Sequence, residues 1–329
     1  MTREGLMQEP LLRCRRIGHV NLYVSDWERS MVFYRDVCGL EEVFREPPIK
    51  AGFLSTGNTH HDIGFIEARA TARLGRDDYV QTRAGVGARV GFNHFGIEMH
   101  CERDLVEGWH RAVAHGIRIE KTTDSSGLSK SVYVRDPDGN LLQFYADLMD
   151  DWRSFWALGP RLVTGHWDPS REAAPTTDPH YPVNPKRYLS AVSPVHPLRL
   201  TGGTISVADL DGSAAFYALF GLKEVWRNED GDARLLSASG LNRDLMLTQC
   251  KSGEQTGLTR FSFLIPSLEE LDRARAWLEE RGHAIESYED QGLCVRLLIR
   301  DPDAFGVEFH FDKVADWAAY LRSGGVWSI

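Results

Sequence analysis

One tight turn occurs twice in this chain, and it limits the fold more than any other feature. Residues 131–147 read SVYVRDPDGNLLQFYAD, two alternating apolar runs on either side of Asp136-Pro137-Asp138-Gly139-Asn140. Proline fixes φ, while glycine and asparagine tolerate positive φ, so the chain is predicted to reverse there as a β-hairpin. The two-residue period of a strand then sets Leu141, Gln143 and Tyr145 on one face. Residues 300–309, RDPDAFGVEF, are a near copy. A repeat on this scale predicts a duplicated architecture.

The flanking sequence repeats as well. In IGHVNLYV, starting at Ile17, His19, Asn21 and Tyr23 share one strand face and Val20, Leu22 and Val24 the other. Ser25 or Asp26 is predicted to cap a helix, DWERSMVFYRDVC, which Gly39 stops. LEEVFRE, AGFLSTG and HDIGFIEA read as three strands, completing one βαβββ unit. After a polar connection over residues 70–90 the pattern restarts: FNHFGIEMH as a strand, a helix closed by Gly116, IRIEKT as a strand, then the hairpin. Aligning Asp209 with Asp26 superposes Val207 on Val24 and Phe216-Tyr217 on Phe33-Tyr34, so the second half repeats the first. Four βαβββ units predict an α+β protein of two domains, residues 15–151 and 199–313. A flexible arm (1–14), a linker (152–198) and a tail helix beginning near Val314 complete the chain. The linker follows from eight of the fourteen prolines falling between Trp152 and Leu200. Its Trp152, Phe155, Trp156, Trp167 and Tyr181 predict that it is held against a domain.

A hydrophobic content of 42% suffices for real cores. A net charge of −9 and a pI near 5.8 argue against nucleic acid and anionic membrane surfaces as partners. No apolar run has the length of a membrane span, and the first residues lack the apolar core of a signal peptide, which predicts a cytoplasmic protein. Five scattered cysteines without CxxC spacing predict reduced thiols, neither a disulfide framework nor a thiolate zinc site.

GHVNLYVSDWERSMVFYRDVCGLEEV, HHDIGF, NHFGIEM and YVRDPDGNLLQFY, in this order and spacing, resemble the vicinal oxygen chelate superfamily, and within it the two-domain type I extradiol dioxygenases. The resemblance implies that paired units curl into a cup holding divalent iron or manganese, with dioxygen as co-substrate. Its first two ligand positions are His19 and His94; the third, a glutamate in the family, is Gln143 here. Two imidazoles and a carboxylate suit a non-haem iron site, whereas an amide ligates without charge. The resemblance also gives Asn21 an active-site position, makes His61 on the fourth strand an acid/base, and sets Tyr133 against the substrate oxygen. A histidine that the family often carries before its seventh strand is missing at residues 124–128. Glu98, two strand steps past His94, is on the same face and is a candidate source of the absent negative charge. In the second half the corresponding positions are Gly202, Arg260 and Glu308, which predicts a degenerate copy with Arg260 and Glu308 paired. His166, His180 and His196 are expected to be exposed, and Asp147, Asp150 and Asp151 to form a solvated helix start.

These readings predict an extradiol-type dioxygenase cleaving a small catecholic or related vicinal-oxygen aromatic. The alternatives are a metal-free binding protein using the same cup, favoured by Gln143, and another metal-dependent reaction such as isomerisation or epoxide opening. Association into a homo-oligomer is common in the family and open to this chain.

Overall fold

A computed structural model describes residues 9–181, 186–240, 242–325 and 327. The first half contains β1 (Cys14–Val24), α1 (Trp27–Val32), β2 (Glu41–Glu46), β3 (Ala51–Ser55), β4 (Ile63–Glu67), β5 (Arg73–Leu74), β6 (Val80–Thr82), β7 (Gly91–Met99), α2 (Glu102–Ala114), β8 (Lys121–Ser125), β9 (Ser129–Arg135) and β10 (Leu141–Asp147). The proline-rich span adds α3 (Trp152–Trp156) and β11 (Thr164–His166). The second half repeats the plan with β12 (Arg199–Val207), α4 (Leu210–Leu219), β13 (Lys223–Arg227), β14 (Ala233–Ser237), β15 (Leu245–Gln249), β16 (Gly257–Leu264), α5 (Leu268–Glu280), β17 (Ile285–Asp290), β18 (Cys294–Arg300), β19 (Gly306–Asp312) and α6 (Trp317–Arg322).

The first sheet runs β11-β8-β9-β10-β7-β1-β4-β3-β2 and the second β13-β14-β15-β12-β16-β19-β18-β17, two curled mixed sheets of α+β type. β1 joins the two units of its half, pairing parallel with β4 and antiparallel with β7; β12 does the same between β15 and β16. Alternation decides the faces. Val20, Leu22 and Val24 of β1, Phe95, Ile97 and Met99 of β7, and Leu142, Phe144 and Ala146 of β10 enter one apolar core that continues through both halves. Their neighbours on the opposite face line the concave side.

The duplicated turns latch the halves together. Asp136 uses one carboxylate oxygen to accept from the Asp138 and Asn140 amides, at 3.0 and 2.8 Å, and the other to accept from the Tyr217 hydroxyl at 2.8 Å. Asp301 repeats this with the Asp303 and Phe305 amides, and accepts from Tyr34 at 2.7 Å. A second reciprocal pair ties the sheets: Asp62 accepts from the Leu200 amide at 3.0 Å, and Asp244 from the Ile17 amide at 2.8 Å. Tyr34→Phe and Tyr217→Phe each deprive a buried carboxylate of a donor, so each is expected to lower stability by about 1–3 kcal/mol in urea unfolding.

Several local expectations change. Leu11 and Leu12, assigned to a flexible arm, are buried, and the Leu11 amide donates to the Leu219 carbonyl at 2.7 Å; residues 1–8 are outside the described part. The second strand of the second unit starts at Lys121, not Ile117. Trp152, Phe155, Trp156 and Trp167 of the proline-rich span are buried, and β11 pairs with β8 as the sheet's outer strand. His166 is exposed as expected, but His180 is half-buried beside Asp150, and His196 is half-buried with its Nε2 on the Ser190 carbonyl. Among the described residues no helix is long and apolar enough to cross a membrane.

Candidate active site

Three neighbouring strands deliver the predicted donors to one place. Asn21 of β1 is in register with His94 of β7, His19 with Gly96, and Gly96 in turn with Gln143 of β10. The glycine is required there, because a Cβ on Gly96 would lie 2.0 Å from Nε2 of His19, whose ring fills that space. His19 and His94 have ring centroids 5.6 Å apart, on the same wall. His19 Nε2 is 3.1 Å from Gln143 Oε1, and the Gln143 amide donates to Ser131 Oγ at 2.8 Å, which fixes the carbonyl end toward the imidazoles. His94 Nε2 lies 3.1 Å from the Asn21 amide nitrogen, and its Nδ1 lies 3.1 Å from Asn93 Oδ1. An amide nitrogen only donates and an amide oxygen only accepts, so His94 carries its proton on Nδ1 and its Nε2 lone pair accepts from the Asn21 amide.

His61 stands 4.1 Å from the His19 ring, centroid to centroid, and both of its nitrogens are buried with no hydrogen-bond partner among the described residues. It does not lie on the fourth strand as expected, because β4 begins at Ile63 and both His60 and His61 belong to the bend before it. Strand parity therefore does not separate them, and both rings enter the cup, 4.5 Å apart. His19, His60 and His61 each offer one ligand atom, and these atoms lie within 4.8 Å of one another. His60 is the residue that sequence reasoning passed over; the adjacent pair His60-His61 was its signal. Tyr133, in register with Gln143, lies 5.8 Å from the His94 ring.

Burial governs the charge of this cluster. It holds His19 well below the ordinary imidazole range, with His94 and His60 adding to the effect; His61 is depressed for the same reason, and His94 falls to about 3 through burial and the nearby Lys121. Neutral imidazoles, a His94 Nε2 that a cation would take over from the Asn21 amide, one buried unpartnered nitrogen on His19 and an aligned amide oxygen fit a divalent cation in donor type. They offer it no formal charge. Glu98 does not make up the difference: it is buried against Arg16 at 2.8 Å and paired with Arg15. Asp147 is not solvated but sits 3.0 Å from His60 Nδ1. Glu46, which no motif singled out, lines the cup with one oxygen accepting from the Val163 amide at 3.0 Å and the other without a partner among the described residues; burial pushes its carboxyl up to about 7.

Among the described residues, the second sheet offers no comparable cluster. Gly202 leaves its first position bare, and Arg260 pairs with Glu308 at 3.2 Å as expected. The first cup encloses a chamber of about 80 Å³, with His60, His61, His94, Tyr133 and Gln143 around it.

Over residues 16–144 and 197–311 the sequence matches the family described as the Glyoxalase/Bleomycin resistance protein/Dioxygenase superfamily. The chain belongs to this superfamily. A catechol-2,3-dioxygenase of Bacillus subtilis (strain 168) is 25% identical over 288 residues, 83% of this chain and 91% of that protein. Among solved structures, the 2,3-dioxygenase LapB from Pseudomonas sp. KL28 covers 92% of this chain and 93% of its own, with a TM-score of 0.64 and 18% identity. The Mn(II)-bound glyoxalase from Novosphingobium aromaticivorans covers 91% and 83%, with a TM-score of 0.64 and 15% identity. At such identities the structural likeness is one of fold. In this chain an uncharged Gln143 faces His19, and the buried histidine cluster includes His60.

Proposed function

We propose that the chain is a divalent-metal-dependent dioxygenase of the extradiol type, cleaving the ring of a catechol or related vicinal-oxygen aromatic. The observation that carries this reading is the clustering of two uncharged imidazoles and a carbonyl oxygen: His94 and Gln143 line one chamber, and His19 is packed against them with its Nε2 3.1 Å from Gln143 Oε1. The likeness to a catechol-2,3-dioxygenase along most of both chains supports the reaction class. His19, His94 and Gln143 would hold the metal. When bound, divalent iron or manganese supplies Lewis acidity that favours ionisation of a vicinal diol and the redox capacity that dioxygen chemistry needs.

The remaining residues act on the substrate. His61, with both nitrogens free and its neutral form favoured, takes a proton from the diol and returns it later. Tyr133 stays a phenol, since burial raises it, and can donate to a substrate oxygen. Asn21 holds His94 by its amide and keeps a buried, unpartnered carbonyl oxygen. Phe53 and Trp156 line the chamber and limit water.

A second donor set is favoured by one observation, the closeness of His19, His60 and His61. Single alanine variants separate the two. After anaerobic Fe(II) or Mn(II) loading and desalting, His94→Ala is expected to lose the metal and His60→Ala to keep it; the reverse pattern would move the cation onto the histidine triplet. Wild type is expected to form yellow ring-cleavage products from simple catechols in air. A protein that takes up neither metal and yet binds aromatics would instead be a metal-free binding member of the superfamily.

A further inference from the structure

Next to the chamber around the histidines is a second, larger one of about 540 Å³. Gln81, Thr82, Asn93 and Lys121 line both, so they stand between the two. The outer walls combine apolar surface from Tyr23, Tyr79, Val80, Val86 and Leu141 with three cations, Arg83, Lys121 and Arg135, against one carboxylate, Glu120. That carboxylate is already engaged by Arg118 at 3.3 Å and Arg135 at 3.5 Å. The outer chamber thus faces its contents with surplus positive charge.

Lys121 stands out among these groups. Its ammonium donates to the Gln81 carbonyl at 2.9 Å and lies 4.5 Å from the centre of the Tyr133 ring, but it is in no ion pair among the described residues. Burial, with Arg135 adding repulsion, lowers it to about 8, so it remains charged at neutral pH while poorly compensated. Lys121 is half-buried, and a ligand anion would supply the counter-ion its ammonium lacks there.

We propose that the outer chamber is an anion-recognition subsite built on Lys121, and that the substrate is an aromatic acid whose far end carries a carboxylate. Resting on the reading above, the diol end would occupy the inner chamber beside His61 and the acidic arm would extend past Asn93 to Lys121, with Arg135 behind it. The apolar walls would cover the body of the molecule between the two ends. Charge at Lys121 then selects by attraction: a neutral analogue leaves the half-buried ammonium without a counter-ion, whereas a carboxylate supplies one.

The test separates this subsite from the ring-cleavage reading by using ligands without a diol. Binding of naphthalene-2-carboxylate and naphthalene-2-carboxamide to the wild-type full chain is measured by calorimetry, then repeated with Lys121→Met and Lys121→Arg. The carboxylate is expected to bind at least about tenfold more tightly than the amide, a preference lost in Lys121→Met and kept in Lys121→Arg. Equal affinities in the wild type, or a preference that survives Lys121→Met, would overturn the subsite. A metal-loaded comparison of 3,4-dihydroxybenzoate with 3,4-dihydroxybenzamide gives the other half. A Lys121-dependent carboxylate preference without any ring cleavage leaves the subsite standing and removes the dioxygenase reading; cleavage indifferent to charge removes the subsite alone.

Discussion

Replacing His19 with alanine is expected to abolish retention of divalent metal and, with it, all ring cleavage. His19 belongs to both donor sets, the one with His94 and Gln143 and the one with His60 and His61, so no rearrangement among them rescues its loss. Losing a partner outside the coordination shell costs metal affinity about 10 to 100-fold, and losing a ligand costs more. Metal content after anaerobic loading and desalting should fall accordingly, and a His19→Gln variant with native circular dichroism controls for the buried volume. Full metal content in His19→Ala would place the cation elsewhere. Gln143→Glu should act in the opposite direction. The carbonyl end of Gln143 already faces His19 at 3.1 Å, and a carboxylate there supplies the charge the cup lacks, so affinity is expected to rise at least about tenfold.

The second large effect is a pH-dependent change in the stability of the metal-free protein. His94 titrates at about 3 in the folded state, against about 6.5 in an unfolded chain. Between those values the unfolded state binds the extra proton, so the contribution of His94 is complete above about pH 6.5 and is lost as pH falls toward 3. Glu46 and Asp244 work the other way: their folded carboxyls titrate at about 7 and about 6, so they favour the folded state as pH falls. The bulk acid curve therefore mixes opposing signs, but the difference between wild type and His94→Asn isolates the imidazole. That difference should move in favour of the variant by about 1.4 kcal/mol per pH unit as pH drops from 6.5. Urea unfolding at pH 7, 6, 5 and 4 measures it, and parallel pH curves for the two proteins would show that His94 is not held neutral.

Strand alternation and the repeated turn were enough to anticipate the duplicated βαβββ plan and the shared face of His19 and Asn21 within one strand, because both are local: successive side chains point to opposite sides wherever the backbone is extended. That His19, His94 and Gln143 face one cup was implied by the resemblance to the superfamily. Even the exchange of carboxylate for amide at residue 143 could be weighed before any coordinate was known. The turn motif concealed a second role, since nothing in Asp136 or Asp301 alone says that its carboxylate also accepts from a tyrosine of the other half.

What tertiary structure decided came from segments where no period applies. His60 and His61 enter the cup together because the chain bends ahead of β4; a one-residue step there carries no fixed change of side. Glu98 and Asp147 share the strand pattern of the predicted donors, yet Arg16 and His60, distant in sequence, take them up. Lys121 came to line both chambers only when β8 paired with β9 and β6 brought the Gln81 carbonyl to its ammonium. Periodicity could say which way a side chain points; which charges meet there, and which of them are left without a partner, depended on contacts between residues tens to hundreds of positions apart.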